Sequence, residues 1–572
     1  MFMMDSSVWN IFAKIRREND SFNSEDVLNS YIICALVLKA KQKNISLDKS
    51  SRSLVNELYG DNFPHIFNDI DIKNLSFFYD VSIEELKSFI LDYQYALYVV
   101  GKKGFVSFIP EKIISLICKL IELGDADTIG IMGESSSVSV FQIAENYSLS
   151  NINSYSLRCE NKEILELLSE SLGYNIHFVV GEYYSFNNIK LTNKVISFPM
   201  WGCDTEHNVM ESYLEKKGYK NARNNSAEAG ILFALDALSE DGLAAVYVPL
   251  NLIQKNDNLI LKDIVDKKQL KAIVSLPSGI SPVTNIKTAV LILSKKQNDT
   301  VRFVIGSEFF TKNRKLCNEL SDANIMEISN AYYNSSEYAK NVAAEEIKAK
   351  NYSLNYINYF VEPKIVIVGM GKKNFPYVKI SELLITKPIR GTLIKSEVLD
   401  SETGNTNYRY LTSKNIVDNE IDSYLPEIPE QNKKVDKYCL KKNDIVLSVV
   451  TTDTIKVAIA QDIGNLNIVV SNMLYKLTPN SDKVRPLYLK AVLSHPDAAR
   501  IFKAYSSGAG SISTLPIDVL CNTEIALPPL DKQDIFVKNY EKLVNTRCML
   551  IEQINEIDKS KKLLFEIIFG EK

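Results

Sequence analysis

Residues 127 to 296 alternate strand-like and helix-like text, and this alternation limits the fold more than any other feature of the chain. DTIGIMG reads as a buried strand, VSVFQIAENY as a helix, NSYSLRCE as a strand and NKEILELLSESLGY as a helix. IHFVVGE, KVISFPM, GLAAVYVP, LKAIVSLP and TAVLILSKK follow as strands, with AEAGILFALDALSEDG as a helix between the second and third of them. Short apolar runs bounded by turn residues mark the strands, and apolar positions repeating near 3.6 mark the helices. Such alternation predicts an α/β fold built on a parallel, doubly wound sheet. Ligands of these sheets bind outside the carboxyl ends of the strands.

The flanks read differently. Residues 1–100 predict helices: SEDVLNSYIICALVLKAKQK has helical spacing, and VSIEELKSFILDYQYALYVV follows a start signal in which Ser82 precedes Glu85 by three residues. Pro110 opens another amphipathic helix after the glycine-bearing GKKGFVSF. From 361 the strands become short and β-branched, broken by SETGNTN, KKND, QDIGNLN and SSGAGS, so a second fold begins there. The chain closes on a long helical stretch, VKNYEKLVNTRCMLIEQINEIDKSKKLLFEIIF, suited to a spacer or a partner helix. The expected organisation is a helical domain over 1–100, a Rossmann-like domain over 101–300 and a connecting segment over 301–360. An α+β domain over 361–530 and a terminal helix over 531–572 complete it.

Composition narrows the function classes. At 572 residues, 46% hydrophobic and 24% charged, this is a folded multidomain chain. Its eight cysteines form no CxxC pair and no histidine lies at metal spacing, so neither a zinc site nor a disulfide framework is expected, and no metal is predicted. The first residues lack a basic segment followed by a long apolar run, and no stretch of about 18 uncharged apolar residues occurs. A cytoplasmic protein without a membrane span is therefore expected. The net charge of -4 is uneven: residues 1–360 hold 37 basic and 44 acidic residues, residues 361–572 hold 29 and 26. The second part permits nucleic-acid binding through a local patch, and ordinary surface charge explains the balance equally well.

VISFPMWG, residues 195–202, is a strand running into a turn that carries Phe198, Pro199, Met200 and Trp201. Together with GFVSFIP (104–110), GIMGESS (130–136) and the order of the strands, this text resembles the modification subunit of type I restriction systems, an adenine-N6 DNA methyltransferase. The later phrases ELLITKPIRGTL, YRYLTSKNI, CLKKNDIVLS, NMLYKLTP, YLKAVLSHPDAARIF, SSGAGSISTLPIDVL and IALPPLDKQDIFVKNYEKL resemble, in order, one recognition half of the matching specificity subunit and its spacer helix.

The resemblance implies functions for particular positions. Pro110 and Glu134 fall in the two loops that admit S-adenosylmethionine, although GIMGESS has lost the family's aspartate, proline and two glycines. Glu160 matches the carboxylate that holds the ribose hydroxyls, and Glu182 the acid beside the adenine ring; surface carboxylates at strand ends are the alternative. The catalytic loop of the family is N-P-P-F or N-P-P-Y, whose polar side chain and proline carbonyl accept hydrogen bonds from the adenine amino group while the aromatic stacks on the flipped base. Phe198 offers no acceptor. Trp201 is left either to stack on a base or, with Phe198 and Met200, to fill the emptied site as core.

In the second half the resemblance implies DNA reading by Lys387, Arg390, Lys414, Lys441, Lys442, Thr451, Thr452, Lys456, Ser506, Ser507 and Ser511, with cations on phosphates and polar groups on base edges. Three readings follow. The first is a DNA-binding member of a restriction or phage-defence system, with a catalytically decayed methyltransferase body and no cofactor. The second is a live adenine-N6 methyltransferase using S-adenosylmethionine. The third is a scaffold that binds a separate methyltransferase subunit, or another copy, through the last helix. Double-stranded DNA is the expected partner of the first two.

Overall fold

The structure is a computed structural model. It describes residues 10–570 other than 12, 16–23, 61–71, 73, 92–108, 134–135, 150, 157–161, 181–188, 200–206, 220–225, 255–257, 281–285, 313–317, 361–362, 368–374, 396–398, 400–405, 423, 429–432, 452–453, 462–463 and 507–512. It divides into two compact units, Met1–Tyr359 and Phe360–Lys572.

The first unit is organised by a nine-stranded sheet. Its strands are β1 (Thr128–Met132), β2 (Asn151–Ser156), β3 (Ile176–Val180), β4 (Thr192–Ser197), β5 (Leu238–Pro249), β6 (Leu270–Ser275), β7 (Thr288–Leu293), β8 (Thr300–Ile305) and β9 (Ala339–Ala343), in the order β9-β8-β6-β7-β5-β4-β1-β2-β3. Neighbours from β3 through β5 pair in parallel, as the alternation predicts. The sheet is not parallel throughout, however: β7 runs antiparallel between β5 and β6, and β9 antiparallel to β8. A parallel return needs a crossover, usually helical, and 276–287 carries no helix among the described residues. The β6–β7 connection therefore reverses the chain.

Each face of the sheet is covered. Helices Glu111–Leu120, Ser136–Asn146 and Asp322–Tyr333 share one apolar cluster with Ile129, Ile131, Ile152, Ile196, Phe198, Tyr247 and Val290. The alternate residues meet helix Ser226–Ala237, whose Phe233 packs edge-on against Tyr155 of β2. Two-sided burial explains why these strands read as nearly continuous apolar runs.

The amino-terminal helices Ser24–Gln42, Ser51–Tyr59 and Ile83–Leu91 have no separate core. They share one with Ile164, Leu165 and Leu168 of helix Lys162–Leu172 and with Phe178 of β3. A Lys39–Glu170 ion pair and a bond from Gln42 Nε2 to the Ser171 carbonyl (3.0 Å) tie the two together. The start signal at Ser82 forms as read: Glu85 N–H donates to Ser82 Oγ at 3.0 Å, and Ser82 N–H to the Glu85 carboxylate at 2.8 Å.

The second unit centres on an antiparallel sheet of β10 (Ile389–Arg390), β11 (Ile445–Ser448), β12 (Val457–Ile459) and β13 (Leu474–Leu477), ordered β10-β13-β11-β12. Helices Pro486–Leu493 and Pro496–Tyr505 each begin on proline, where the missing N–H has no helical partner to lose. A 40-residue helix, Leu530–Phe569, closes the chain. It is held along its first half: Arg485 grips Asp534 with two bonds of 2.5 and 3.0 Å, Phe536 packs edge-on against Tyr488, and Arg547 bonds Asp418 at 2.7 Å.

Candidate functional site

The strand order reverses direction between β1 and β4, and open α/β sheets bind their ligands at such a point. Both loops singled out in the sequence leave the sheet there, GIMGESS from β1 and SFPM from β4. Phe198 N–H donates to the Met132 carbonyl at 2.8 Å and so ties the two bases together, while Gly133 N–H donates to the Tyr155 carbonyl of β2 at 3.1 Å. Gly133 has φ +113°, and a Cβ there would lie 2.1 Å from the Phe198 carbonyl oxygen. Only glycine permits this approach. Gly133 therefore stands where this backbone requires a glycine, although the two glycines of the family's loop are replaced in this chain.

Phe198 continues the alternation of β4 and turns onto the face that carries Ile196. Its side chain is 1% exposed, within the cluster that holds Ile109, Leu276 and Ile280, and its ring meets Tyr247 edge-on at 6.3 Å. Pro199 goes the other way. It lies against helix Ser226–Ala237, where a Cβ on Gly230 would come within 2.7 Å of the proline ring. Tyr247 is enclosed with Phe198, and burial pushes its phenol up to about 12 despite a bond to the Thr288 hydroxyl. It is no proton carrier near neutral pH.

The Phe198 ring is core, and the described part of the β4 loop offers no side-chain acceptor toward an adenine amino group. Pro110 is the N-cap of helix Glu111–Leu120, directly after the buried Ile109 of the same cluster. Met200, Trp201, Glu134, Glu160 and Glu182 lie outside the described residues. Of the residues that the resemblance assigns to S-adenosylmethionine only Pro110 is described, and it is engaged as a helix N-cap. Sequence reasoning missed Gly230, whose signal was a lone glycine inside the helical run AEAGILFAL.

In the second unit the structure divides the predicted DNA-reading residues. Lys387 and Arg390 are exposed, and Arg390 Nε donates to the Asn472 carbonyl at 2.7 Å. Arg390 lies close enough to Tyr475 to oppose the upward shift that burial gives its phenol. Lys441 and Lys442, also exposed, occupy the turn before β11, and Lys441 lies near Lys476, whose ammonium burial pushes below its ordinary range. Tyr475 and Lys476 are consecutive on β13 and face opposite ways.

A third group is compact. Lys456 Nζ donates to the Ser413 carbonyl at 2.7 Å, which sets it beside the exposed Lys414. Two expectations need correction: Thr451 is buried, and so is Ser506, whose hydroxyl donates to the Phe502 carbonyl at 2.6 Å. A hydroxyl spent on its own helix end is not free to read a base. Thr452, Ser507 and Ser511 lie outside the described residues. No cluster of metal-ligating side chains occurs among the described residues, and no described helix is long and apolar enough to cross a membrane.

The first unit is a Rossmann-like methyltransferase fold, and comparison with known families agrees with that class. Residues 122–365 match the family described as N-6 DNA Methylase, and residues 372–559 match the Type I restriction modification DNA specificity domain. The chain thus joins in one polypeptide an N-6 DNA methylase domain and a type I specificity domain, homologous to the methylase and specificity subunits of type I restriction-modification systems.

It is 26% identical over 297 residues to the type I restriction enzyme MpnII methylase subunit of Mycoplasma pneumoniae, covering 45% of this chain and 53% of that protein. It is 31% identical over 169 residues to the putative type I restriction enzyme MjaX specificity subunit of Methanocaldococcus jannaschii, covering 27% and 39%. The chain thus spans about half of the first relative and two fifths of the second. Among solved structures, the type IIG restriction endonuclease BpuSI superposes with a TM-score of 0.50 at 13% identity, over 94% of this chain and 75% of that one, a likeness of fold alone.

Proposed function

We propose that this protein is a DNA-binding component of a restriction-modification or phage-defence system in which the methylase domain serves as a structural body and transfers no methyl group. The observation that carries this reading is Phe198. At the position where the family places a polar acceptor, the chain has a ring buried in the core between the sheet and its helices. An adenine amino group oriented by that position would lose its acceptor, and removing one such preorganised group typically costs 10²–10³ in rate.

A second reading, active adenine-N6 methylation with S-adenosylmethionine, draws support from Gly133, which keeps the close backbone crossing at the switch point. The two separate by calorimetric titration with S-adenosylmethionine and transfer of tritiated methyl to duplex DNA. The first reading expects no transfer, and label in DNA together with micromolar cofactor binding would overturn it.

DNA binding is assigned to the specificity domain. Lys414 and Lys456 are both exposed, and the bond from Lys456 Nζ to the Ser413 carbonyl sets them side by side. Replacing either with alanine is expected to weaken duplex binding similarly for all sequences, and to reduce the slope of log affinity against log salt by about 1. An unchanged slope in a gel-shift series would remove these lysines from the interface. The last helix, held at its start and unpartnered beyond, is proposed as the surface through which the protein assembles with another copy or another subunit.

A further inference from the structure

We infer that Leu393 is an apolar wedge that the second unit presses between base pairs of a bound duplex. This rests on the DNA-binding reading of that unit, and adds to it a residue and a kind of contact.

Leu393 is 70% exposed, in a segment that is otherwise fastened down. Just before it the chain makes the tight Gly391 crossing, where Gly391 N–H donates to the Leu474 carbonyl (3.1 Å) and Thr392 N–H to that of Val470 (3.0 Å). Around Leu393 itself a buried phenol closes a clasp: the Tyr410 hydroxyl accepts from Ile394 N–H at 3.2 Å and donates to the Thr392 carbonyl at 2.9 Å. The residues on both sides of Leu393 are thus bonded to one oxygen atom. Ile394 packs against the apolar cluster that holds Tyr410, and Leu393 is left outside it. A leucine on a slack loop can fold back to shed its contact with water, whereas one clasped on both sides stays presented.

The surroundings of Leu393 select the partner. Arg390 pairs with Tyr475, Ser448 with Leu474 and Leu447 with Val457, so β10 and β11 finish, and β12 and β13 start, at one end of the sheet. Leu393 leaves from that end with Arg390 and Lys395, beside Lys456 and the Lys414 that Lys456 adjoins, and all four cations are exposed. Residues 385–395 hold three cations and no acid. Lys441 and Lys442 precede β11 and so lie at the other end, where Asn443 N–H donates to the Ala460 carbonyl at 2.7 Å. A leucine set among cations suits a polyanion with an apolar interior, which a stacked duplex is and an apolar protein surface is not. Arg390 spends Nε on the Asn472 carbonyl, which leaves its terminal nitrogens for a phosphate. The five steps from Arg390 to Lys395 reach at most about 17 Å, enough to put a cation on each side of a minor groove about 6 Å wide with Leu393 between them. Insertion unstacks one step, most easily a flexible pyrimidine–purine step, so Leu393 selects among sequences by their deformability and not by a base edge.

The test uses the full chain and the duplexes that it selects from a random-sequence pool, with dyes at the two duplex ends reporting the bend by energy transfer. The unaltered chain is expected to bend its duplex by roughly 20–90°. Leu393→Ala should weaken binding roughly tenfold and return the transfer toward that of free duplex, while the slope of log affinity against log salt stays the same, because an apolar contact releases no counterion. Leu393→Met, apolar and of similar size, should keep both affinity and bend. Tyr410→Phe, which keeps the ring and removes the clasp, should reduce the bend with Leu393 still in place. Arg390→Ala and Lys395→Ala should instead each lower the salt slope by about 1. An unbent duplex under the unaltered chain, or a bend that survives Leu393→Ala, overturns the wedge, even where affinity falls. A chain that binds no duplex removes the DNA-binding reading and the wedge with it, whereas salt-sensitive binding that Leu393→Ala leaves untouched removes the wedge alone.

Discussion

Phe198→Asn is expected to destabilise the first unit severely and to leave methyl transfer undetectable. Removing a phenylalanine from a packed core costs about 3–5 kcal/mol, and leaving an unpaired amide in its place adds about 1–3 kcal/mol. Against the roughly 5–15 kcal/mol by which folded domains are stable, this brings the unit close to its folding threshold. The side chain is 1% exposed within an apolar cluster, and the ring it meets edge-on is that of Tyr247, whose phenol is bonded to Thr288. Denaturant unfolding measures the loss, with Phe198→Leu as the control expected to cost less than about 1.5 kcal/mol. Stability equal to that of the unaltered chain would mean that the ring is not core. The residue that would restore the family's chemistry on paper is thus the one this packing least tolerates.

Gly391→Ala is expected to be the counterpart in the second unit. Here the chain passes so close to the β13 approach that a Cβ would lie 2.2 Å from the Val470 carbonyl oxygen and 2.3 Å from that of Ser471. Both contacts are backbone, so no side chain can swing away. Relief would have to break some of the bonds that fix the crossing: Gly391 N–H to the Leu474 carbonyl (3.1 Å), Thr392 N–H to Val470 (3.0 Å) and Asn472 N–H to Thr392 (3.0 Å). Leaving two or three buried backbone groups unpaired costs about 3 kcal/mol or more. Thermal unfolding should show the transition of Phe360–Lys572 lowered and that of Met1–Tyr359 unmoved, with duplex binding lost at the lower temperature. Gly464→Ala is the control: its φ is +50° but a Cβ there meets nothing within 4 Å, so about 1 kcal/mol is expected. Equal losses in the two variants would show that the crossing is more pliant than its distances imply.

Much of the fold could be read from local text because the information was local. The strands from β1 to β7 stand where the apolar runs put them, although β5 begins at Leu238 inside the stretch read as the end of a helix and helices His207–Lys216, Leu250–Gln254 and Leu259–Asp266 went unread, and Ser82 and Glu85 cap a helix as their spacing implies. The reversal of β7 was not legible, because an apolar run buried on both faces reads the same in either direction. Nor was the shared core of the amino-terminal helices, since SEDVLNSYIICALVLKAKQK states that a helix has an apolar side but not what lies against it. Thr451 and Ser506 looked like loop residues free to touch DNA, yet the helix end claims the hydroxyl of Ser506 and burial encloses Thr451.

By itself the sequence determined that this chain holds an α/β body with a doubly wound parallel part, followed by a second fold of short strands and a long helix. Those properties follow from residue type and spacing along the chain, whereas the place of Phe198 in a loop that corresponds to a catalytic one was read from a family resemblance. Only the tertiary structure decided where Phe198 goes and which cations stand together. A side chain's direction depends on the strand it leaves, and its neighbours come from segments far away in sequence. Phe198 is buried because alternation along β4 turns it toward the helices, and Lys414 and Lys456 meet because one bond to the Ser413 carbonyl joins two loops about forty residues apart.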